Sequence, residues 1–199
     1  MTLRSVFVPK SDGDVAALVD AYPLAWVVSA GTAGNSATVL PLLVERDSEG
    51  RVATLFGHFA KSNPQVALLK RQPQAIILAQ GPQGYISPAL VSNPTWGPTW
   101  NYAVARFEVE VEFVPDETHA ALERLAAWVE RDRPQPWTPD RMGPRYEELA
   151  RHVIAFRATV REVHAAFKLG QDERPETFDE IVAGVDPALG EWMTRSVAR

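Results

Sequence analysis

The stretch RVATLFGHFAKSNPQ, residues 51–65, carries the strongest structural signal in this chain. Its first six residues form an apolar run of the kind that builds a β-strand, and the six residues after it have the composition of a helix. Ser62 or Asn63 can cap that helix, with Pro64 at its first position. The stretch therefore predicts a strand that leads, through several polar residues, into the N-terminus of a helix over residues 64–71.

The polar side chains at this junction permit two interpretations. His58, Lys61, Ser62 and Asn63 bring an imidazole, an ammonium, a hydroxyl and an amide together within six positions. A helix N-terminus offers free N–H groups and the positive end of a dipole, so this set is suited to hold a phosphate, with the lysine adding full charge. The alternative is that Ser62 or Asn63 only caps the helix. A cap satisfies only some of the free N–H groups, so the sequence leaves both interpretations open.

Strands dominate the rest of the chain. Between Phe107 and Phe113 the apolar residues alternate with Glu108, Glu110 and Glu112, which is typical of a strand with one buried and one solvated face. A turn cluster at residues 31–35 separates two further strands. The predicted strands cover residues 24–30, 36–46 with an interruption at Pro41, 51–56, 75–79, 85–87, 100–114 and 153–163.

The predicted helices are few. Ser11 and Asp14 resemble a capping box that opens a helix ending near residue 21, and Asp116 is expected to cap a helix over residues 117–131. Residues 5–9 look extended. Further helices are predicted over residues 64–71, 146–151 and 175–197.

The arrangement of these elements indicates the fold class. Six or seven antiparallel-type strands without regular helices between them predict a mainly β, α+β fold, a β-barrel with peripheral helices. The length of 199 residues fits a single domain, 1–199, with a C-terminal helical extension at about 173–199.

The composition narrows the classes of function. A net charge of −5 gives no global attraction to DNA or to an anionic membrane, so we expect no direct DNA binding. No apolar run approaches the ~20 residues that cross a bilayer, and the first residues lack the apolar segment of a secretory signal. We therefore expect a cytoplasmic protein with no membrane partner. The chain has no cysteine and its four histidines show no zinc-binding spacing, so no metal site is expected.

Two further groups of residues are candidates for binding. Thr99, Trp100 and Asn101 combine a flat aromatic face with directional hydrogen-bonding groups, which suits a planar heteroaromatic ligand. Taken alone, however, the motif favours a strand start with core aromatics, since aromatic residues are common in strands. Lys168 and Gln171 follow the last predicted strand. Lys168 can reach a phosphate or simply complement a carboxylate on a solvated surface.

Taken together, these motifs resemble the PaiB-type family, whose members are often labelled FMN-binding negative transcriptional regulators. The resemblance spans nearly the full chain. Its segments, in order, are Phe7–Pro9, Leu40–Leu43, Gly57–Ala60 with Asn63–Gln65, Gly81–Pro82 with Tyr85–Ser87, Pro98–Tyr102 and Phe167–Gln171.

The resemblance implies a split β-barrel like those of pyridoxamine-phosphate oxidases and flavin reductases, which dimerise and hold FMN at the subunit interface. It implies that Lys61 and Ser62 lie on the phosphate side of the cofactor, and that Thr99, Trp100 and Asn101 lie towards the flavin or the open substrate side. The cofactor-binding residues implied in this way are His58, Lys61, Ser62, Asn63, Thr99, Trp100, Asn101, Lys168 and Gln171.

The sequence departs from the family pattern at several positions near the implied site. Val39 stands where the family has a histidine, and Ala105 or Arg106 stands where a second histidine is usual. Gly170 replaces the serine of the family's Lys-Leu-Ser-Gln motif, and residues 89–91 replace a Ser-Trp-Tyr run.

The function implied is that of an FMN-binding oxidoreductase of the flavin-reductase type, acting as a homodimer on a small-molecule substrate. No side chain is assigned as catalytic, because in such proteins the flavin performs the chemistry. Two alternatives remain open. One is a flavin- or small-molecule-sensing transcriptional regulator without direct DNA contact. The other is a haem-binding split barrel with His58 or His164 as the axial ligand.

Overall fold

A seven-stranded antiparallel sheet forms the body of the protein. The computed structural model describes residues 5–31 and 34–197. The strands run across the sheet in the order β2-β1-β5-β6-β7-β4-β3. Their bounds are β1 Leu24–Gly31, β2 Gly34–Pro41, β3 Leu43–Arg46, β4 Val52–Ala60, β5 Gln74–Ile86, β6 Thr99–Phe113 and β7 Val153–Lys168.

Six helices lie around the sheet in the part of the chain that the structure describes. Their bounds are α1 Asp12–Ala21, α2 Pro64–Arg71, α3 Thr118–Glu130, α4 Pro144–Ala150, α5 Pro175–Gly184 and α6 Pro187–Val197. None of the helices in these described ranges is long and apolar enough to span a bilayer. The last two, α5 and α6, lie where the sequence predicted helical structure over residues 175–197.

The sheet is bent back on itself by its own connectivity. β2 and β3 lie at its two edges, yet only Leu42 separates them in sequence. Leu42 is buried, and its N–H donates to the carbonyl oxygen of Pro23 at 2.8 Å. Because consecutive residues cannot lie on opposite margins of a flat sheet, the strands must curl into a barrel. The expected split barrel with peripheral helices is confirmed.

The core fills the inside of this barrel. Its largest fully buried side chains include Phe59, Phe107 and Phe156, packed with aliphatic residues from α1 and β5. A second, smaller cluster of Leu43, Phe56, Ala121 and Ala155 lies on the outer side of β4 and β7, under α3. Each strand therefore buries one face in the barrel, while helices cover only part of the other.

Several predicted elements are longer than expected. β4 continues to Ala60 instead of ending at Phe56, because residues 57–60 pair with residues 153–156 of β7 and Phe59 points into the core. β7 continues to Lys168, five residues beyond the predicted end, because its last residues pair with β6. β5 is one strand where two were predicted, and a register shift between Gln80 and Gln83 accommodates Gly81 and Pro82.

Other local predictions were wrong. Asp116 does not cap the helix, because a 3₁₀ turn over Pro115–Glu117 comes first and α3 begins at Thr118, with Glu117 at the cap position. Residues Ser5–Phe7 form a 3₁₀ turn and are not extended. The turn predicted at residues 31–35 includes Thr32 and Ala33, which lie outside the described residues.

Candidate functional site

The junction between β4 and α2 is closed by a helix cap. The Asn63 Oδ1 atom accepts from the N–H of Gln65 at 2.9 Å, and the Asn63 carbonyl oxygen accepts from the N–H of Val66 at 3.0 Å. Pro64, the first helical residue, has no N–H to offer. Asn63, and not Ser62, is therefore the cap. The first N–H groups of α2 are satisfied within the chain, so the helix does not offer them to an anion.

Gln65 is a buried residue whose role the sequence did not reveal. Its Nε2 donates to the carbonyl oxygen of Val27 at 2.9 Å and to the Ser29 hydroxyl at 3.0 Å, while its Oε1 accepts from the Thr38 hydroxyl at 2.6 Å. The Asn63 Nδ2 also donates to the Thr38 hydroxyl, at 2.9 Å. This network fixes the start of α2 to β1 and β2. Asn63 therefore caps the helix and also holds it against β2.

Lys61 and Ser62 remain at the surface of the same junction. Both residues are exposed. The Lys61 Nζ donates to the carbonyl oxygen of Arg151 at 2.8 Å, which uses one of its three N–H groups. Among the described residues, the Ser62 side chain makes no hydrogen bond within the chain. An ammonium and a hydroxyl are thus presented next to each other at the end of β4.

His58 lies three residues before Lys61 on β4, opposite Ala155 of β7. Its side chain is half-buried, and the Nδ1 atom is buried with no hydrogen-bond partner in the part of the chain that is described. Burial lowers the pKa of His58 below its ordinary value, because desolvation disfavours the charged imidazolium. The imidazole is therefore neutral at pH 7, with an unpaired nitrogen whose burial costs free energy.

Thr99, Trp100 and Lys168 meet at the other end of the barrel. Lys168 is cross-strand partner to Tyr102, and its Nζ donates to the Thr99 hydroxyl and, at 3.1 Å, to the Trp100 carbonyl oxygen. The Trp100 ring is half-exposed beside the equally exposed Tyr85 ring, with centroids 6.1 Å apart and planes tilted by 60°. This pair offers an apolar aromatic surface to solvent or to a ligand.

The side chains of Asn101 and Gln171 make polar contacts within the chain. Asn101 is buried, and its Nδ2 lies 3.6 Å from the Met193 Sδ atom of α6. The Gln171 Oε1 accepts from the N–H of Leu169 at 2.7 Å, and its Nε2 donates to the Phe167 carbonyl oxygen, so this side chain shapes the turn after β7. In that turn Gly170 adopts a φ of +83°, which explains a glycine where the family has serine.

The predicted residues thus form two groups that do not meet within one chain. His58 pairs with Ala155 near the start of β7, and Lys168 stands thirteen residues further along the same strand. An extended strand of that length covers roughly 40 Å. The group at residues 58–63 and the group at residues 99–101, 168 and 171 lie at opposite ends of the barrel wall.

An exposed apolar surface on the outside of the sheet was not anticipated as a distinct feature. Trp26 of β1 lies between its cross-strand partners Val39 of β2 and Leu78 of β5, and Leu24 is two residues away on the same face. The exposed fractions of Trp26, Leu78 and Leu24 are 51%, 41% and 59%. We call these four residues the outer apolar face. Val39, where the family has a histidine, is part of it.

Two grooves flank the ridge made by Trp26 and Leu78. One, of about 460 Å³, runs past Tyr22, Leu24 and Pro82. The other, of about 300 Å³, runs from Trp26 over β5, β6 and β7, where Ala105 and Ala165 are among the small apolar side chains that line it. A ridge between two grooves is a shape that can pair with a copy of itself.

His164 lies at the margin of this same face, in a small group of side chains that could ligate a metal ion. Its Nε2 is 2.8 Å from a Glu162 carboxylate oxygen, and Glu108 completes a cluster whose ligand atoms lie within 4.8 Å of one another. Glu108 is also paired with Arg106 at 3.0 Å. His164 and Glu162 are exposed, and Glu108 is half-buried.

The donors present fit FMN in chemical character. The exposed ammonium of Lys61 and hydroxyl of Ser62 suit a phosphate group, and the Trp100 and Tyr85 rings suit a flat apolar ring system. The unpaired buried Nδ1 of His58 is a polar atom still in need of a partner. The two groups are thus chemically suited to different parts of such a cofactor.

Comparison with known proteins supports FMN as the cofactor. A model of the family described as "Putative FMN-binding domain" matches residues 1–162. The protein named protease synthase and sporulation protein PAI 2, from Bacillus subtilis (strain 168), is 29% identical over 148 residues, which cover 73% of this chain and 70% of that protein.

Solved structures show the same fold at low sequence identity. A conserved hypothetical protein of Mycobacterium tuberculosis superimposes with a TM-score of 0.62 at 15% identity, covering 88% of this chain and 94% of its own. A protein of Mycobacterium smegmatis described as binding FAD and haem superimposes with a TM-score of 0.58 at 16% identity, covering 88% and 79%. At these identities the likeness concerns the fold alone.

Proposed function

This chain belongs to the FMN-binding domain family, and from that premise we propose that it is a homodimeric, cytoplasmic flavoprotein that transfers electrons to a small molecule, in the manner of a flavin reductase. FMN is its cofactor. One observation carries the proposal. The residues suited to a phosphate, 58–63, and the residues suited to a flat ring, 99–101, lie near opposite ends of β7.

A second copy of the chain can bring the two groups of residues together, although they lie far apart within one copy. In a two-fold symmetric dimer the phosphate-type group of one protomer can lie against the aromatic group of its partner, so two equivalent composite sites form. The outer apolar face supports this arrangement, because a stable dimer of this kind buries on the order of 2,000 Å² or more of largely apolar surface. Leu24, Trp26, Val39 and Leu78 supply apolar side chains for such an interface.

Each residue then has a defined task. Lys61 and Ser62 bind the phosphate, and the neutral imidazole of His58 donates or accepts one hydrogen bond nearby. Trp100 covers the flat ring system, while Lys168 orients Thr99 and the Trp100 backbone. Asn63, Asn101 and Gln171 act as positioning residues, since their side-chain hydrogen bonds hold the elements on which the others stand.

When bound, FMN supplies the capacity to accept and donate a hydride. The protein contributes binding, orientation and exclusion of water. A neutral His58 adds no positive charge beside the cofactor, so the positive charge available to this group of residues comes from Lys61.

The visible spectrum of protein purified without added cofactor tests the proposal. Flavin bands, or their appearance after FMN is added and excess removed, are expected, together with oxidation of a nicotinamide in the presence of an electron acceptor. Tighter binding of FMN than of riboflavin is expected, because only FMN has a phosphate. A Soret band would favour the haem-binding alternative, and flavin binding without turnover would favour a sensor.

A further inference from the structure

A histidine and two glutamates meet on one face of β6 and β7. Glu162 and His164 are two residues apart on β7, so their side chains point to the same face of the sheet. Glu108 of β6 is the cross-strand partner of Glu162. Sequence spacing alone predicted no metal site, because only the register of the two strands brings these three side chains together.

The atoms that can bind a metal ion form a tight group. The His164 Nε2 is 2.8 Å from Glu162 Oε1, and one ligand atom from each of the three residues lies within 4.8 Å of the others. The ligands of a tetrahedral ion with bonds of about 2.0–2.2 Å lie roughly 3.3 Å apart. The side chains of Glu162 and Glu108 are 56% and 43% exposed, so rotation of these carboxylates can close the remaining gap.

The charges around this group favour a cation. Glu108 and Glu162 lie directly opposite each other, which is unfavourable for like charges on neighbouring strands. Arg106 compensates one of them, with its Nη2 3.0 Å from Glu108 Oε1, while the nearby Arg161 is paired with Glu110. A carboxylate has two oxygens and about four acceptor sites, so the ion pair with Arg106 leaves acceptor capacity on Glu108. A divalent ion bound by both glutamates would balance both charges.

The strand pairing is irregular beside the same residues. β6 advances by one residue, from Glu108 to Val109, while β7 passes from Glu162 to Val160, so Arg161 is an extra residue. Such bulges redirect neighbouring side chains and occur often near functional sites.

Open grooves reach the group from two sides. His164 lines the groove of about 300 Å³ described above, and Glu162 lines another of about 510 Å³. An ion can therefore approach from solvent. Three protein ligands leave at least one coordination position for water.

We propose that Glu108, Glu162 and His164 bind a divalent transition-metal ion of the Zn²⁺ type, through the His164 Nε2 and one carboxylate oxygen of each glutamate. An imidazole together with carboxylates suits Zn²⁺, whereas Mg²⁺ and Ca²⁺ prefer sets made of oxygen alone. The neutral imidazole binds through Nε2 when its single proton is on Nδ1. None of the three ligands belongs to the candidate FMN residues.

Calorimetric titration of the full chain with zinc chloride, after treatment with EDTA and dialysis, tests the proposal. Saturable binding of one Zn²⁺ per chain is expected, and excess Mg²⁺ should not displace the ion. His164→Gln and Glu162→Gln should each weaken binding at least about 10-fold, since even the loss of a group that only supports a metal ligand has an effect of this size.

Two further variants make the test specific. Arg106→Met removes the cation that competes for Glu108, so Zn²⁺ should bind more tightly. His119→Gln is the matched control, because His119 is also an exposed histidine, with its Nε2 3.8 Å from a Glu147 carboxylate oxygen, but it lies on α3. This variant should titrate like the parent, and thermal melts identify any variant that has lost its fold. The proposal is overturned if the parent shows no saturable binding, if His164→Gln binds Zn²⁺ as the parent does, or if His119→Gln weakens binding as much as His164→Gln.

Discussion

Arg157 of β7 and Glu117, the cap position of α3, form a bidentate ion pair. The Arg157 Nε donates to Glu117 Oε1 at 2.9 Å, and its Nη2 donates to Oε2 at 2.6 Å. The same guanidinium also pairs with Glu45 of β3 and lies 4.7 Å from the centre of the buried Phe56 ring. One side chain thus joins β3, β7 and α3 across the outer cluster, and these contacts raise the pKa of Arg157.

Arg157→Met should lower the free energy of unfolding by about 1–3 kcal/mol, because two carboxylates lose a partly buried partner while the aliphatic part of the side chain is kept. Arg161→Met, four residues along the same strand, removes an exposed arginine with one partner and should change stability by less than about 0.5 kcal/mol. Urea unfolding followed by tryptophan fluorescence compares the two. Equal effects of the two variants would contradict a special role for Arg157.

The buried imidazole of His58 should make stability depend on pH. Its pKa is lowered by burial in the folded state, so the unfolded chain binds a proton more readily, and stability should fall as pH drops below the ordinary histidine pKa of 6.5. The loss is complete once pH is below the lowered folded pKa. His58→Gln, which cannot titrate, should show a flatter profile.

Melting temperatures at pH 5, 6, 7 and 8 measure this effect. The parent and His58→Gln profiles should differ most in slope just below pH 6.5 and run parallel above pH 7. His152→Gln, which removes an exposed histidine, serves as the control variant. Identical slopes for the parent and His58→Gln would show that the imidazole titrates normally.

The sequence predicted the fold well because the strand signal is local. The alternation over residues 107–113 and the helix start at Pro64 need no tertiary information, and both were confirmed. The ends of β4, β5 and β7 were missed because pairing with a neighbouring strand extends a strand past its own apolar run. The prediction that Asp116 caps a helix was wrong because a 3₁₀ turn can precede an α-helix, and here that turn contains Asp116.

Less of the candidate site than of the fold could be predicted from the sequence. Nothing in the local pattern distinguishes the buried Gln65 from an exposed helical glutamine, since its partners Val27 and Thr38 lie far away in sequence. The outer apolar face is likewise spread over three strands, and each contributes only one or two exposed side chains. Such surfaces become visible only when the register of the strands is known.

Trp26→Glu should convert the proposed dimer to a monomer. It places a carboxylate at the centre of the ridge on the outer apolar face, where burial without a partner is unfavourable. Trp137→Glu is the matched control, because Trp137 is also an exposed tryptophan but lies in the loop after α3. Light scattering at micromolar concentration should report a monomer for the first variant and a dimer for the second. A monomeric parent would refute the proposed interface, as would a dimeric Trp26→Glu variant.

Ser62→Ala separates ligand binding from helix capping. Because Asn63 is the cap, this substitution should leave the melting temperature within about 1–2 °C of the parent, while FMN binds several-fold more weakly for lack of a hydroxyl donor. Asn63→Ala should instead lower stability by about 1 kcal/mol or more, since it removes the cap and the contact to Thr38. A large loss of stability in Ser62→Ala would mean that the hydroxyl supports the fold.

Lys61→Ala should weaken FMN binding about 10- to 100-fold, because a charge-assisted contact to a dianionic phosphate contributes roughly 1.5–3 kcal/mol. The variant also loses the hydrogen bond from Nζ to the Arg151 carbonyl oxygen, which should cost no more than about 1 kcal/mol of stability at this exposed position. Lys70→Ala is the control, since Lys70 is an exposed lysine near the other end of α2 and should leave FMN affinity unchanged. Fluorescence quenching of FMN gives the three affinities, and riboflavin titrations show whether the effect requires the phosphate. If Lys61→Ala and the parent bind FMN alike, or if riboflavin binding falls as much as FMN binding, Lys61 does not contact the phosphate, and its role is confined to tying the end of β4 to the residues that precede β7.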